Sequence, residues 1–283
     1  MTAPRFSLVK TATHELHVTE WGDSDNSPLV MWHGLARTGR DFDELAAALS
    51  DEYFVICPDT IGRGLSSWAS KSETAYRIDT YADHAVALLD HYQMDRAAWV
   101  GTSMGGLIGM HLAAGASADR LSCLIINDIG PEVPQAATDR IIRYAADLPE
   151  FDQLSEAEAW LRNTYAPFGP ADDAFWRRMT RSSVRRTDQG RFTLHYDPEI
   201  IRQFAAYLDD LSTWDNYKKI KLPCHVIRGE NSDLLTPDIL ARMQKEGPKP
   251  GATEFAGCGH APTLSRKADI QLVRRLLTDL QLD

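Results

Sequence analysis

Trp99-Val100-Gly101-Thr102-Ser103-Met104-Gly105-Gly106 carries a Gly-x-Ser-x-Gly core and runs on into Leu107-Ile108-Gly109-Met110-His111-Leu112-Ala113-Ala114. The apolar lead-in suits a strand, and the segment after the serine suits a buried helix. A strand that delivers a serine into a sharp turn, with a helix leaving at once, is a nucleophile elbow. The two glycines have a steric reason. The serine sits in a strained conformation, and a side chain at Gly101 or Gly105 would meet the neighbouring strand or helix. The helix start after Ser103 also aims free backbone N–H groups at any oxyanion formed there. Five residues with three fixed recur by chance, so the reading rests on whether the chain also supplies a base, an acid and a second oxyanion donor in order.

Outward from the elbow, short apolar runs alternate with helical periodicity, the pattern of an α/β fold with a mostly parallel sheet. Strands are expected at 28–32, 53–57, 97–100, 121–126, 225–228 and 252–255. Helices are expected at 42–49, 78–92 and 267–280, each with apolar residues on one face. From Pro131 to Trp214 the regularity breaks: the segment is helical in pattern, rich in aromatics and without convincing strands. The simplest division is a sheet core made of 1–130 and 215–283, interrupted by a helical cap at 131–214. Gly247-Pro248-Lys249-Pro250-Gly251 reads as a turn within the core.

With 43% hydrophobic residues in 283, the chain has material for a large core. No run reaches transmembrane length, and the segment Met1-Thr2-Ala3-Pro4-Arg5 lacks the apolar stretch of a signal peptide. Cys57, Cys123 and Cys224 lie in apolar strand-like runs and read as buried thiols, while Cys258, between Gly257 and Gly259, is open to partial accessibility. These features favour a soluble, reducing, cytoplasmic setting without membrane contact. A net charge of −10 argues against nucleic acid as a partner. One segment runs against that balance: Arg177, Arg178, Arg181, Arg185, Arg186 and Arg191 are six cations opposed locally by Asp188 alone. They form either a solvated face or an attractor for an anionic substrate.

Three further loops carry chemistry. His33-Gly34-Leu35 follows the first strong strand, so the Leu35 N–H can join the Met104 N–H in an oxyanion hole, with His33 holding the loop. Gly257-Cys258-Gly259-His260-Ala261-Pro262 follows the last strand and brings His260 over the sheet as a candidate base. Arg228-Gly229-Glu230-Asn231-Ser232-Asp233 follows the penultimate strand, and Asp233 is the favoured acid to orient His260. Asp128, at the end of the 121–126 strand, is the rival. The Gly-x-Gly in Asp59-Thr60-Ile61-Gly62-Arg63-Gly64-Leu65-Ser66 fits neither a Walker A loop nor a dinucleotide fingerprint, and reads as a structural turn.

Taken together, His33-Gly34, Asp59-x-x-Gly62-x-Gly64-x-Ser66, Gly101-x-Ser103-x-Gly105-Gly106, Gly229-x-x-x-Asp233 and Gly259-His260 resemble the α/β-hydrolase superfamily over nearly the whole chain. The resemblance implies an eight-stranded, mostly parallel sheet with a helical cap inserted after the sixth strand. It further implies Ser103 as nucleophile, Asp233 as acid, His260 as base, and an oxyanion hole from Leu35 and Met104.

Such parts suit hydrolysis of a small-molecule ester, lactone or related acyl bond through an acyl-enzyme, with no metal or organic cofactor required. Serine at the elbow disfavours relatives that need an aspartate nucleophile. Carbon–carbon bond hydrolases, acyltransferases, lyases and cofactor-free dioxygenases share the same parts, and an inactive binding protein is the remote alternative. Trp160, Tyr165, Phe168, Phe175 and Trp176 are the candidate substrate-lining residues between sheet and cap. The sequence leaves the acyl group, the leaving group and the oligomeric state open.

Overall fold

A computed structural model describes residues 3–70, 75–145, 148–201, 207 and 212–282. Its frame is an eight-stranded sheet of β1 (Arg5–Lys10), β2 (Glu15–Trp21), β3 (Ser27–Trp32), β4 (Tyr53–Pro58), β5 (Ala97–Thr102), β6 (Leu121–Asn127), β10 (Cys224–Gly229) and β11 (Gly251–Phe255). The spatial order is β1-β2-β4-β3-β5-β6-β10-β11. Strand β2 is antiparallel to both neighbours, and all pairings from β4 to β11 are parallel. Parallel strands covered on both faces must be apolar on both. In β3, Leu29 and Met31 enter one core layer while Val30 and Trp32 enter the other; β5 and β6 divide in the same way.

Helices α2 (Ile78–His91) and α3 (Met104–Ala114) cover the Val30 and Trp32 face, and α1 (Asp43–Leu49) and α9 (Lys267–Leu282) cover the Leu29 and Met31 face. At the centre Trp32 and Trp99, both fully buried, stack with centroids 5.4 Å apart and planes 14° apart. Their indole N–H groups donate to Thr60 Oγ1 and to the Gly105 carbonyl, so the pair is satisfied and braces the elbow. Truncating either to alanine removes packing worth roughly 3–5 kcal/mol. All four cysteines are free and buried, including Cys258 at 2% exposure.

Between β6 and β10 lie α4 (Gln135–Ala145), α5 (Leu154–Thr164), α6 (Asp173–Ser183) and α7 (Trp214–Tyr217). The expectation of a strand-free segment fails here. Strands β7 (Glu150–Phe151), β8 (Val184–Arg186) and β9 (Phe192–Leu194) form a small antiparallel sheet ordered β7-β9-β8. At two or three residues each they are too short to show period-2 alternation. Strands β1 and β2 and helix α8 (Pro237–Met243) were likewise not singled out by pattern. In β1 Phe6 and Leu8 alternate with Arg5 and Ser7, yet this apolar side stays exposed at the sheet edge, and only Val9 is buried.

Candidate active site

Ser103 stands between β5 and α3 with φ 52° and ψ −116°, a left-handed backbone that an L-residue holds only when its surroundings enforce it. The enforcement is visible. A Cβ on Gly101 would lie 2.2 Å from the Gly105 carbonyl oxygen, and one on Gly105 would lie 2.0 Å from that of Trp32. Strand, turn and helix therefore pack backbone to backbone, and the serine hydroxyl is lifted clear. Met104 opens α3, so its N–H has no intrahelical acceptor. Gly34 approaches from the β3 loop, where an added Cβ would come within 3.5 Å of the Ser103 Cβ.

His260 Nε2 lies 2.9 Å from Ser103 Oγ, and His260 Nδ1 lies 2.8 Å from Asp128 Oδ2. The acid beside His260 is thus Asp128, which overturns the expectation that Asp233 would hold that place. Asp128 is fully buried at the end of β6, with φ 60°. Its Oδ1 accepts the Gly229 N–H at 2.7 Å, and its Oδ2 accepts the Ser232 hydroxyl at 2.7 Å. Asp233 points outward, half exposed, and makes a bidentate pair with Arg140 Nε and Nη2 at 2.8 Å each. The β10 loop therefore supplies the donors that fix the Asp128 carboxylate, which follows directly on β6. A turn of one residue past β6 sets this choice, and chain order alone does not encode it.

The neighbouring Asn127 ties the same corner together. Its side-chain amide donates to Thr102 Oγ1 at 3.0 Å and to the Pro262 carbonyl at 2.9 Å, joining β5, β6 and the histidine loop. Gly259 N–H donates to the Pro167 carbonyl at 2.6 Å, which anchors that loop from the 131–214 side. His33 is held in place at the edge of the cleft by hydrogen bonds on both ring nitrogens. Its Nε2 accepts the Thr60 N–H at 2.9 Å, so the proton is on Nδ1, which donates to the Gly34 carbonyl at 2.7 Å. Burial pushes this imidazole down to about 4.

Ser103 lies where two lobes of a cleft meet. One, of about 800 Å³, is bordered by His33, Arg37, Asp41, Arg140, His260 and aromatic side chains. The other, of about 580 Å³, is almost wholly apolar, with Leu35, Ile78, Leu107, Ile129, Ile141 and Ile200 among its walls. Of the expected lining residues, Tyr165, Phe168 and Phe175 border the first lobe. Trp160 and Trp176 border neither: Trp160 packs against Phe151, and Trp176 lies edge-on to Phe175 beneath the Arg162 guanidinium. An aromatic on an amphipathic helix gives no sign in sequence of which neighbour it will meet.

The arginine cluster has a different use from the anion attraction considered above. Arg178 binds Glu44 through Nε and Nη2 at 2.9 and 2.7 Å, which ties α6 to α1. Arg191 pairs with Glu150 and Asp152, and Arg185 lies over the Trp68 ring. None of the six borders either lobe. The cleft's own arginines are Arg37 and Arg140, both paired with carboxylates and neither marked by clustering. Among the described residues no helix is long and apolar enough to cross a membrane.

Comparison with known proteins agrees with this fold. The 3-hydroxybutyrate-oligomer hydrolase of Cupriavidus necator is 35% identical over 98% of this chain and 98% of its own length. The 2-(acetamidomethylene)succinate hydrolase of Mesorhizobium japonicum is 28% identical over 89% of each chain. The crystal structure of an alpha/beta hydrolase from Novosphingobium aromaticivorans superposes with a TM-score of 0.84 at 30% identity, covering 98% of this chain and 99% of that one. The sequence profile of the alpha/beta hydrolase family matches residues 29–270. Sheet order, elbow and profile lead to one conclusion: the chain belongs to the alpha/beta hydrolase family.

Proposed function

We propose that the protein is a serine hydrolase of small carboxylic esters, with Ser103 as nucleophile, His260 as base and Asp128 as acid. The observation that carries this is the unbroken line from Ser103 Oγ through His260 to buried Asp128, at 2.9 and 2.8 Å, at the junction of two cleft lobes. His260 Nε2 takes the Ser103 proton as Oγ attacks the acyl carbon, and Nδ1–H stays on Asp128, which stabilises the imidazolium. The Leu35 and Met104 N–H groups receive the oxyanion. As the tetrahedral adduct collapses, the C–O bond to the leaving group breaks and the alkoxide takes the proton from His260. Water then attacks the acyl-enzyme, gives its proton to His260, and releases the acid while Ser103 regains its hydrogen.

The 131–214 segment serves as the cap, and it closes the cleft over the serine. Two unlike lobes suit an ester with one apolar and one polar half. A short oligomer of a hydroxy acid has two unlike halves about each ester bond, the acyl side ending in a hydroxyl and the alcohol side in a carboxylate. The Cupriavidus relative is named for such substrates. Four buried free cysteines and the absence of disulfides among the described residues suit a reducing cytoplasm.

The test is fluorophosphonate labelling together with hydrolysis of p-nitrophenyl butyrate and linear 3-hydroxybutyrate dimers and trimers. Wild type should be labelled at Ser103 and active on both classes, and Ser103→Ala should lose labelling and at least about a thousandfold in kcat. Undiminished turnover by that variant refutes the proposal.

A further inference from the structure

Three arginines of the described chain are buried almost completely: Arg37, Arg63 and Arg228, at 6, 0 and 3% exposure. Arg37 is neutralised by Asp41 and Arg228 by Glu254. Arg63 has no carboxylate partner among the described residues. Its guanidinium is satisfied by neutral groups: Nε donates to the Leu35 carbonyl at 2.8 Å, and Nη1 to the Ile61 carbonyl and Tyr81 hydroxyl at 2.7 Å each. Nη2 lies 3.5 Å from Met104 Sδ. The Tyr81 and Tyr76 rings lie 5.1 and 5.7 Å from its Cζ. Asp197 stands one group further out, accepting the Tyr76 hydroxyl at 2.5 Å.

Burying a cation without a counter-ion is costly, so its position calls for a reason. Of the cleft-lining residues that Arg63 touches, Tyr76, Tyr81, Leu35 and Met104, the last two carry the N–H groups proposed above as oxyanion donors, the reading on which this inference rests. We propose that Arg63 is a positioning residue for the oxyanion hole. Its hydrogen bond to Leu35 O fixes the turn after β3 against the start of α3, so both donors converge on one point. Its charge, which no carboxylate among the described residues contacts, lies on the side of Leu35 and Met104, and an anion arises there only while the tetrahedral adduct exists. An interaction absent with bound ester and present with the adduct accelerates the chemical step without tightening substrate binding. In a water-poor site such a charge is screened little.

The test compares Arg63→Gln, which keeps a donor for Leu35 O and removes the charge, with Arg63→Lys, which keeps the charge. Each variant is measured for thermal melting, for kcat and KM on p-nitrophenyl butyrate, and for inhibition by phenylboronic acid, which forms a tetrahedral anion on a nucleophilic serine. R63Q should lose about tenfold or more in kcat and a matching factor in boronate affinity, with KM within about twofold. R63K should lose about threefold in each. If R63Q does not fold, parallel losses in kcat and boronate affinity by R63K at steady KM support the proposal. Folded variants that keep wild-type boronate affinity overturn it, whatever happens to Tm, because a purely structural role leaves that ratio unmoved. A wild-type enzyme that neither labels with fluorophosphonate nor binds the boronate overturns the serine reading itself, and this inference with it.

Discussion

Asp128→Asn is the perturbation that most directly separates two chemically similar carboxylates. In the structure Asp128 accepts three hydrogen bonds, from Gly229 N–H, Ser232 O–H and His260 Nδ1–H. An amide can keep its oxygen on Gly229, but its NH2 then faces Ser232 and His260. The imidazole answers by presenting an unprotonated Nδ1 and carrying its proton on Nε2, the nitrogen 2.9 Å from Ser103 Oγ. A protonated Nε2 cannot take the serine proton. In the worked serine-protease example this same exchange costs about 10⁴ in kcat, which corresponds to about 5 kcal/mol of transition-state stabilisation. We expect Asp128→Asn to lose about 10³–10⁴ in kcat on p-nitrophenyl butyrate with little change in KM. Asp233→Asn removes a half-exposed pair with Arg140, and such pairs are worth about 0–1 kcal/mol. Its kcat should stay within about threefold of wild type. A crippled Asp233→Asn beside an active Asp128→Asn would refute the reasoning.

Two further outcomes follow from the same packing. Gly105→Ala places a methyl 2.0 Å from the Trp32 carbonyl oxygen, so the elbow must shift; we expect a loss above about 3 kcal/mol in urea unfolding, and an unchanged midpoint would contradict the close approach. His33, whose imidazole burial pushes down to about 4, is neutral in the folded state and takes up a proton more readily when unfolded. Its penalty is absent above the unfolded value near 6.5, grows as pH falls through that value, and levels off below about 4, amounting to about 3 kcal/mol at most. His33→Gln should flatten the fall in stability between pH 6.5 and 4; a slope identical to wild type would remove His33 as its cause.

What sequence conveys about this site follows from what its residues must do locally. Gly101, Ser103 and Gly105 are legible because a strand-to-helix turn at van der Waals distance admits few alternatives, and the backbone itself enforces the pattern. His260 is legible because a loop after the last strand, flanked by Gly257 and Gly259, has to end over the sheet. The acid is different. Asp128 and Asp233 each follow a strand adjacent to the other in the sheet, and both strands end on the same side. What decides between them is a single backbone dihedral at Asp128, φ 60°, which turns its carboxylate beneath the imidazole, and an Arg140 on α4 that takes up Asp233. Neither leaves a local signature, because one is conformational and the other depends on a residue 93 positions away. Arg63 is hidden for a related reason. Between Gly62 and Gly64 it has the surroundings of an exposed turn residue, and only the return of the 192–197 segment over it, through the Gly64–His195 and Asp197–Gly62 backbone hydrogen bonds, seals it from water. Local geometry is therefore written in the chain. The electrostatics that would distinguish a transition state from a bound ester are assembled by contacts between distant segments, and it is there that Arg63 differs from every paired arginine around it.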